Sequence, residues 1–81
     1  LTEETRKEIV KSMHQKLEQS RIAIRNVREE AKNAIVEENR AGKMNEDQKY
    51  SLQEKLDTLV KEHNEKIKKM GEEKEADIMK L

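Results

Sequence analysis

Four basic side chains in the first half of this chain have the types and the spacing best suited to chemistry. They lie at steps of four, three and four residues and are Arg21, Arg25, Arg28 and Lys32. At about 100° per residue, a helix would place all four on one narrow face, which we call the basic stripe. Lys7 and His14 extend that face towards the N-terminus.

Arginine presents a planar fork that binds phosphate oxygens in a bidentate way, so the basic stripe is suited to an RNA backbone. The alternative is a solvated face with local ion pairs, for example between Arg25 and Glu29, because runs of charge are often only solvated. The spacing alone leaves both interpretations open.

Catalytic and metal-binding patterns are weak in this sequence. His14 and His63 are the two histidines, and neither has the spacing of a metal-ligand motif around it. The chain has no cysteine, which excludes thiol nucleophiles and cysteine-based zinc sites within it. We therefore expect no enzymatic activity, no metal site, no cofactor and no small-molecule substrate.

The composition favours long, exposed helices. Of the 81 residues, 44% are charged and 32% hydrophobic, with no Pro, Phe or Trp and two Gly. A β-rich domain would need β-branched and aromatic runs separated by Gly and Pro turns, and these are missing. The 18 basic and 18 acidic residues cancel, so RNA binding would depend on local patterning. No apolar run reaches the roughly 18 residues of a membrane span, which predicts a soluble chain.

Capping signals divide the chain into two helices and predict an all-α, long antiparallel helical hairpin. Thr2 is a suitable N-cap, and Gly42 is a suitable C-terminal stop. Asn45 followed by Gln48 has the pattern of a capping box. We predict a helix over about 3–40, a loop over about 41–45 and a second helix over about 46–80.

Apolar residues at steps of three and four predict a heptad seam on each helix. The first seam comprises Val10, Met13, Leu17, Ser20, Ile24, Val27, Ala31 and Ala34, and the second comprises Leu52, Leu56, Leu59, His63, Ile67 and Met70. Further apolar residues beside these seams make them wider than two helices need. We therefore expect a third helix or another chain to cover them.

Four motifs, in order along the whole chain, carry a family resemblance. They are LTEETRKEIVK at 1–11, RIAIRNVR at 21–28, MNED at 44–47 and EKEADIM at 73–79. They resemble the motifs LTEERRKELVK, RVAVRNIR, ISED and EKEAELM of ribosome recycling factors.

The resemblance implies that residues 1–81 are the C-terminal part of a helical-bundle domain. The family's first helix and its small β-rich domain are absent from this chain, and the hairpin would belong to a three-helix bundle. The implied partners are the large ribosomal subunit, through ribosomal RNA, and elongation factor G. With that factor, the protein would split the post-termination complex and release ribosomes from mRNA. The implied location is the bacterial cytoplasm, or the organelle matrix for an organellar homologue.

On this resemblance Arg21, Arg25 and Arg28 contact ribosomal RNA. The chain departs from the family at Arg28-Glu29-Glu30, where an Arg-Arg-Asp sequence is usual. Either the contact surface differs or Lys32 replaces the missing basic side chain. Two alternatives remain: a structural antiparallel coiled-coil module, and a tRNA-gripping helical arm like that of seryl-tRNA synthetase.

Overall fold

The computed structural model describes residues 2–81, so that Leu1, the first residue of the opening motif, lies outside it. Helix α1 spans Glu3–Arg40 and helix α2 spans Glu46–Lys80. The two helices form an antiparallel hairpin about 61 Å long. Contacts between the helices join Arg28 to Asp57 and, farther from the loop, His14 to Glu75. The all-α helical hairpin predicted from the sequence is confirmed.

Side chains accept hydrogen bonds from free backbone N–H groups at the start of both helices. The Thr2 hydroxyl accepts a hydrogen bond from the backbone N–H of Thr5 at 3.1 Å. Asn45 Oδ1 accepts from the backbone N–H of Gln48 at 2.8 Å, and Gln48 Oε1 accepts from the backbone N–H of Asn45 at 3.0 Å. This reciprocal pair is the predicted capping box, and it fixes where α2 begins.

The chain reverses direction after α1 at Gly42, whose φ of +78° lies in the left-handed region. The backbone N–H of Gly42 donates to the Asn39 carbonyl at 3.1 Å, and that of Lys43 donates to the Glu38 carbonyl at 3.0 Å. These two bonds form a Schellman motif, which satisfies the last carbonyls of α1. The Asn39 side chain also donates to the Met44 carbonyl at 2.9 Å, so that the loop is tied to α1.

The helices meet with an 11-residue repeat, and the predicted heptad seam of α1 is therefore wrong in part. Half-buried positions recur in α1 at steps of four, three and four: Arg6, Val10, Met13, Leu17, Arg21, Ile24, Arg28, Lys32, Ile35 and Asn39. The predicted seam residues Ser20, Val27 and Ala34 are exposed. A seven-residue repeat stays in contact only if the helices supercoil to the left, whereas 11 residues in three turns is closer to a straight helix.

Helix α2 follows the same repeat, and its predicted seam is corrected in the same way. The residues that face α1 are Lys49, Gln53, Leu56, Val60, Asn64, Ile67, Gly71, Glu75 and Ile78. The predicted seam residues Leu52, Leu59, His63 and Met70 are exposed. Along part of the contact, polar residues therefore occupy positions between the helices, and apolar residues of the predicted seam are exposed.

An open groove on one side of the hairpin is lined by apolar residues, some in the contact between the helices and some exposed. We call it the apolar groove; its lining consists of Ala23, Ile24, Val27, Arg28, Leu56, Leu59, Val60 and His63. Val27 is 62% exposed and Leu59 63% exposed. No hydrophobic side chain in residues 2–81 is buried. Neither of the two helices is long and apolar enough to cross a membrane.

At Gly71 the helices approach each other closely. It is the only buried residue in the described part of the chain. A Cβ at this position would lie 2.6 Å from Leu17 Cδ1, closer than carbon atoms approach without a shift. The interruption of α2 by glycine is therefore a packing feature, although glycine costs about 1 kcal/mol relative to alanine in a helix.

We expect the effect of Gly71→Ala on the free energy of unfolding to depend on the side chain at Leu17. Alanine favours the helix, but its Cβ must displace the Leu17 side chain. In a Leu17→Ala background that obstacle is gone, so Gly71→Ala should be more stabilising there than in the parent, by the cost of displacing the Leu17 side chain, which is about 1 kcal/mol. Urea unfolding of the four members of this cycle, in the complete protein that contains this chain, measures the difference. The same effect in both backgrounds would contradict the close approach.

Candidate nucleic-acid interface

Helix α1 presents the basic stripe at the edge of its contact with α2. Arg21, Arg28 and Lys32 are half-buried, and Arg25 is exposed. The 11-residue repeat brings three of its four members into the contact with α2. Each long side chain can cover its neighbours with its aliphatic part while the charged group reaches solvent.

The strongest contact of the stripe is with Asp57 on α2. Arg28 donates to Asp57 Oδ1 from Nε at 3.1 Å and from Nη2 at 2.9 Å. Lys32 Nζ lies 3.7 Å from the same oxygen. The side chains of Arg28, Lys32 and Asp57 are 34%, 32% and 50% exposed. One carboxylate therefore holds two of the four cations across the helix contact.

The other two members of the stripe are more available. Arg21 Nη1 lies 3.4 Å from Oε2 of Glu18, an exposed residue one turn earlier on the same helix. Arg25 makes no ion pair or side-chain hydrogen bond with any residue in the range 2–81. The local pair between Arg25 and Glu29, which was the example given for a solvated face with local ion pairs, does not form, whereas Arg21 does pair locally with Glu18.

Two lysines that the sequence analysis missed lie beside the stripe. Lys61 and Lys68 on α2 line the same open groove as Arg21 and Arg28. Asp57 and Glu65 line it as well, so the groove carries both signs of charge. The antiparallel register is the signal that could have found these lysines, because it sets residues 57–68 of α2 opposite the stripe.

The two histidines lie apart from each other. His14 Nε2 is 3.3 Å from Glu75 Oε2, which makes it a partner of α2 towards the open end of the hairpin. His63 lines the apolar groove. Within the part of the chain that the structure describes, no three His, Cys, Asp or Glu side chains are grouped so as to hold a metal ion.

This arrangement is suited to reversible binding of phosphates. Ion pairs between partly exposed side chains contribute about 0.2–1 kcal/mol, because water screens the charges and ordering the side chains costs entropy. A charge-assisted contact between arginine and a phosphate is stronger than a neutral hydrogen bond and can be bidentate. RNA could therefore engage Arg25 directly and draw Arg21 away from Glu18 at small cost.

Comparison with known proteins decides the family. A sequence model described as "Ribosome recycling factor" matches residues 1–79. The chain belongs to the ribosome recycling factor family. This membership confirms the resemblance indicated by the four motifs. No solved structure matched the chain.

Curated ribosome-recycling factors agree with this assignment over nearly all of the chain. The protein of Halothermothrix orenii is 43% identical over 81 residues, which are 100% of this chain and 44% of that protein. The protein of Thermosynechococcus vestitus is 42% identical over 79 residues, 98% of this chain and 43% of that protein. The protein of Aquifex aeolicus is 40% identical over 81 residues, 100% of this chain and 42% of that protein. The chain thus spans less than half the length of these relatives.

We expect Arg28 and Asp57 to be energetically coupled. Single and double alanine substitutions at these positions, in the complete protein, should give a coupling energy of about 0.2–1 kcal/mol by urea unfolding. The matched control is the cycle of Arg25→Ala with Asp57→Ala, for which the effects should add, because Arg25 does not contact Asp57. Additive effects in both cycles would contradict the ion pair.

Proposed function

We propose that this chain contributes the RNA-binding surface of a ribosome recycling factor, a translation factor without enzymatic activity of its own. The factor binds the large ribosomal subunit after termination. With elongation factor G, it splits the post-termination complex and releases ribosomes from mRNA. The proposal is supported by the family membership, together with the basic stripe that α1 presents on one side of the hairpin. The factor acts in the compartment that contains its ribosomes, which is the bacterial cytoplasm or an organelle matrix.

The basic stripe is the contact that we assign to ribosomal RNA. The chain has a formal net charge of zero, so attraction by bulk charge is absent and the local pattern must provide the affinity. Arg25 is exposed and unpaired among residues 2–81, which makes it the first of the four to meet phosphate. Arg21, Arg28 and Lys32 then add contacts by exchanging carboxylates for phosphates.

Two observations favour recycling over a purely structural coiled coil or a tRNA-gripping arm. The family match covers residues 1–79, and the stripe leaves Arg25 without a carboxylate partner in the described residues. A purely structural coiled coil predicts binding to a protein partner and no contact of Arg25 with RNA. A tRNA-binding arm would also use arginines, but nothing in the family match favours it.

We also propose that a helix from the rest of the protein covers the apolar groove and completes a three-helix bundle. Val27 and Leu59 are more than half exposed in the hairpin, and no hydrophobic side chain of residues 2–81 is buried. Burial of such side chains contributes about 25 cal/mol per Å² of apolar surface. The relatives are more than twice as long as the matched region, which leaves enough chain for this helix.

The 81 residues alone should therefore be helical without forming a cooperative fold. We expect a broad thermal transition by circular dichroism, because little apolar surface is buried between two helices. In the complete protein, the transition should be sharp, and Val27→Ala should lower its midpoint. A sharp, concentration-independent transition of the 81 residues alone would show that the hairpin needs no third helix.

Arg25→Ala should weaken binding of the complete protein to isolated large ribosomal subunits. Loss of one charge-assisted contact predicts a change of about 1.5–3 kcal/mol, with little change in thermal stability because Arg25 is exposed. Parent affinity should fall as salt rises, since phosphate contacts release counterions, and this dependence should be weaker for the variant. Lys55→Ala, which removes an exposed charge from the outer side of α2, is the matched control and should bind like the parent. Equal affinities of all three proteins would remove the stripe from the RNA contact.

A further inference from the structure

We propose that Asp57 limits the affinity of the basic stripe for RNA by competing with phosphate for Arg28 and Lys32. The inference rests on the proposed function, since it assigns a role to a carboxylate within the same site. It adds a residue on α2 that tunes the contact, whereas the stripe itself lies on α1.

The geometry around Asp57 resembles the way in which arginine holds a phosphate oxygen. Two N–H groups on one edge of the Arg28 guanidinium, Nε and Nη2, converge on Asp57 Oδ1 at 3.1 and 2.9 Å. Lys32 approaches the same oxygen at 3.7 Å. An anionic oxygen of RNA would need these same donors, so that carboxylate and phosphate exclude each other at this edge of Arg28.

Asp57 is unique among the carboxylates around the stripe. Within residues 2–81 it is the only acidic side chain of α2 that pairs with a member of the stripe. Glu18, the other carboxylate partner, precedes Arg21 by one turn of α1 and is 62% exposed. Asp57 instead bridges the helices, so its position beside Arg28 follows from the packing of α2 against α1.

The charges and exposures make this competition reversible. Arg28, Lys32 and Asp57 carry two positive charges and one negative charge, so the carboxylate halves the net charge that phosphate meets there. All three side chains are between 32% and 50% exposed, so water screens the pair and phosphate can displace it. Asp57 therefore reduces affinity without preventing binding, and it recovers Arg28 when the RNA leaves. A factor that must leave the ribosome after each cycle benefits from such a competitor.

The test is Asp57→Asn, which keeps the size of the side chain and removes its charge. In the complete protein, it should bind isolated large ribosomal subunits roughly two- to five-fold more tightly than the parent, the range expected for release of a partly exposed ion pair. The dependence of log affinity on log salt should steepen by up to about one. Asp77→Asn is the matched control: it makes the same change of charge on the same helix, at an exposed site without an ion pair in the described residues. Its affinity should stay close to that of the parent.

A second experiment tests whether the gain in affinity of Asp57→Asn depends on Arg28. In an Arg28→Ala background, Asp57→Asn should lose most of its gain, because only Lys32 is then released. Equal changes in affinity for Asp57→Asn and Asp77→Asn would mean that only the net charge of the protein matters, and this would overturn the inference. Weaker binding of Asp57→Asn than of the parent would also overturn it. Thermal melts of both variants guard against misfolding, since a half-exposed carboxylate should affect the melting temperature only slightly.

The same titrations separate this inference from the proposed function. If Arg25→Ala weakens subunit binding but Asp57→Asn and Asp77→Asn have the same affinity, the RNA contact is supported and the proposed role of Asp57 is wrong. If neither Arg25→Ala nor added salt affects subunit binding, the RNA contact itself is wrong, and the competitor role of Asp57 falls with it.

Discussion

The register between α1 and α2 decides which residues of this hairpin are available for function. The helices contact each other at steps of four, three and four residues, a repeat that suits nearly straight helices. Because the apolar residues do not follow this repeat throughout, Arg21, Arg28 and Lys32 enter the contact, while Val27 and Leu59 face outwards. One geometric constraint thus produces both a basic edge and an apolar groove.

In the proposed function, the basic stripe serves recognition, and the apolar groove bears mainly on stability. Ion pairs across the contact, such as that of Arg28 with Asp57, are too exposed to contribute more than about 1 kcal/mol each. Gly71 permits one close approach to Leu17, but the hairpin buries no hydrophobic side chain in residues 2–81. The helix that we propose over the apolar groove would then provide most of the stability, and the weakly paired arginines would be free to exchange partners.

Local sequence signals predicted the helices well, and the interface less well. Thr2, Gly42 and the Asn45–Gln48 capping box depend only on neighbouring residues, so the helix ends followed from the sequence. The heptad seam misplaced Val27 and Leu59, because a count of apolar residues cannot separate a repeat of seven from one of 11 when a third surface also needs apolar residues. The stripe on α1 was found from its spacing. Asp57, Lys61 and Lys68 were missed because they approach it only through the antiparallel register.

Directed cleavage of ribosomal RNA tests most directly whether the side of the hairpin that carries the stripe faces RNA. The chain contains no cysteine, so a single introduced cysteine can carry an iron chelate that generates hydroxyl radicals. Ile22→Cys places the probe beside Arg21 and Arg25, and Thr58→Cys places it on the outer side of α2. With the complete protein bound to large ribosomal subunits, we predict strong RNA cleavage from position 22 and weak cleavage from position 58. Equal cleavage from both positions, or stronger cleavage from position 58, would contradict this prediction.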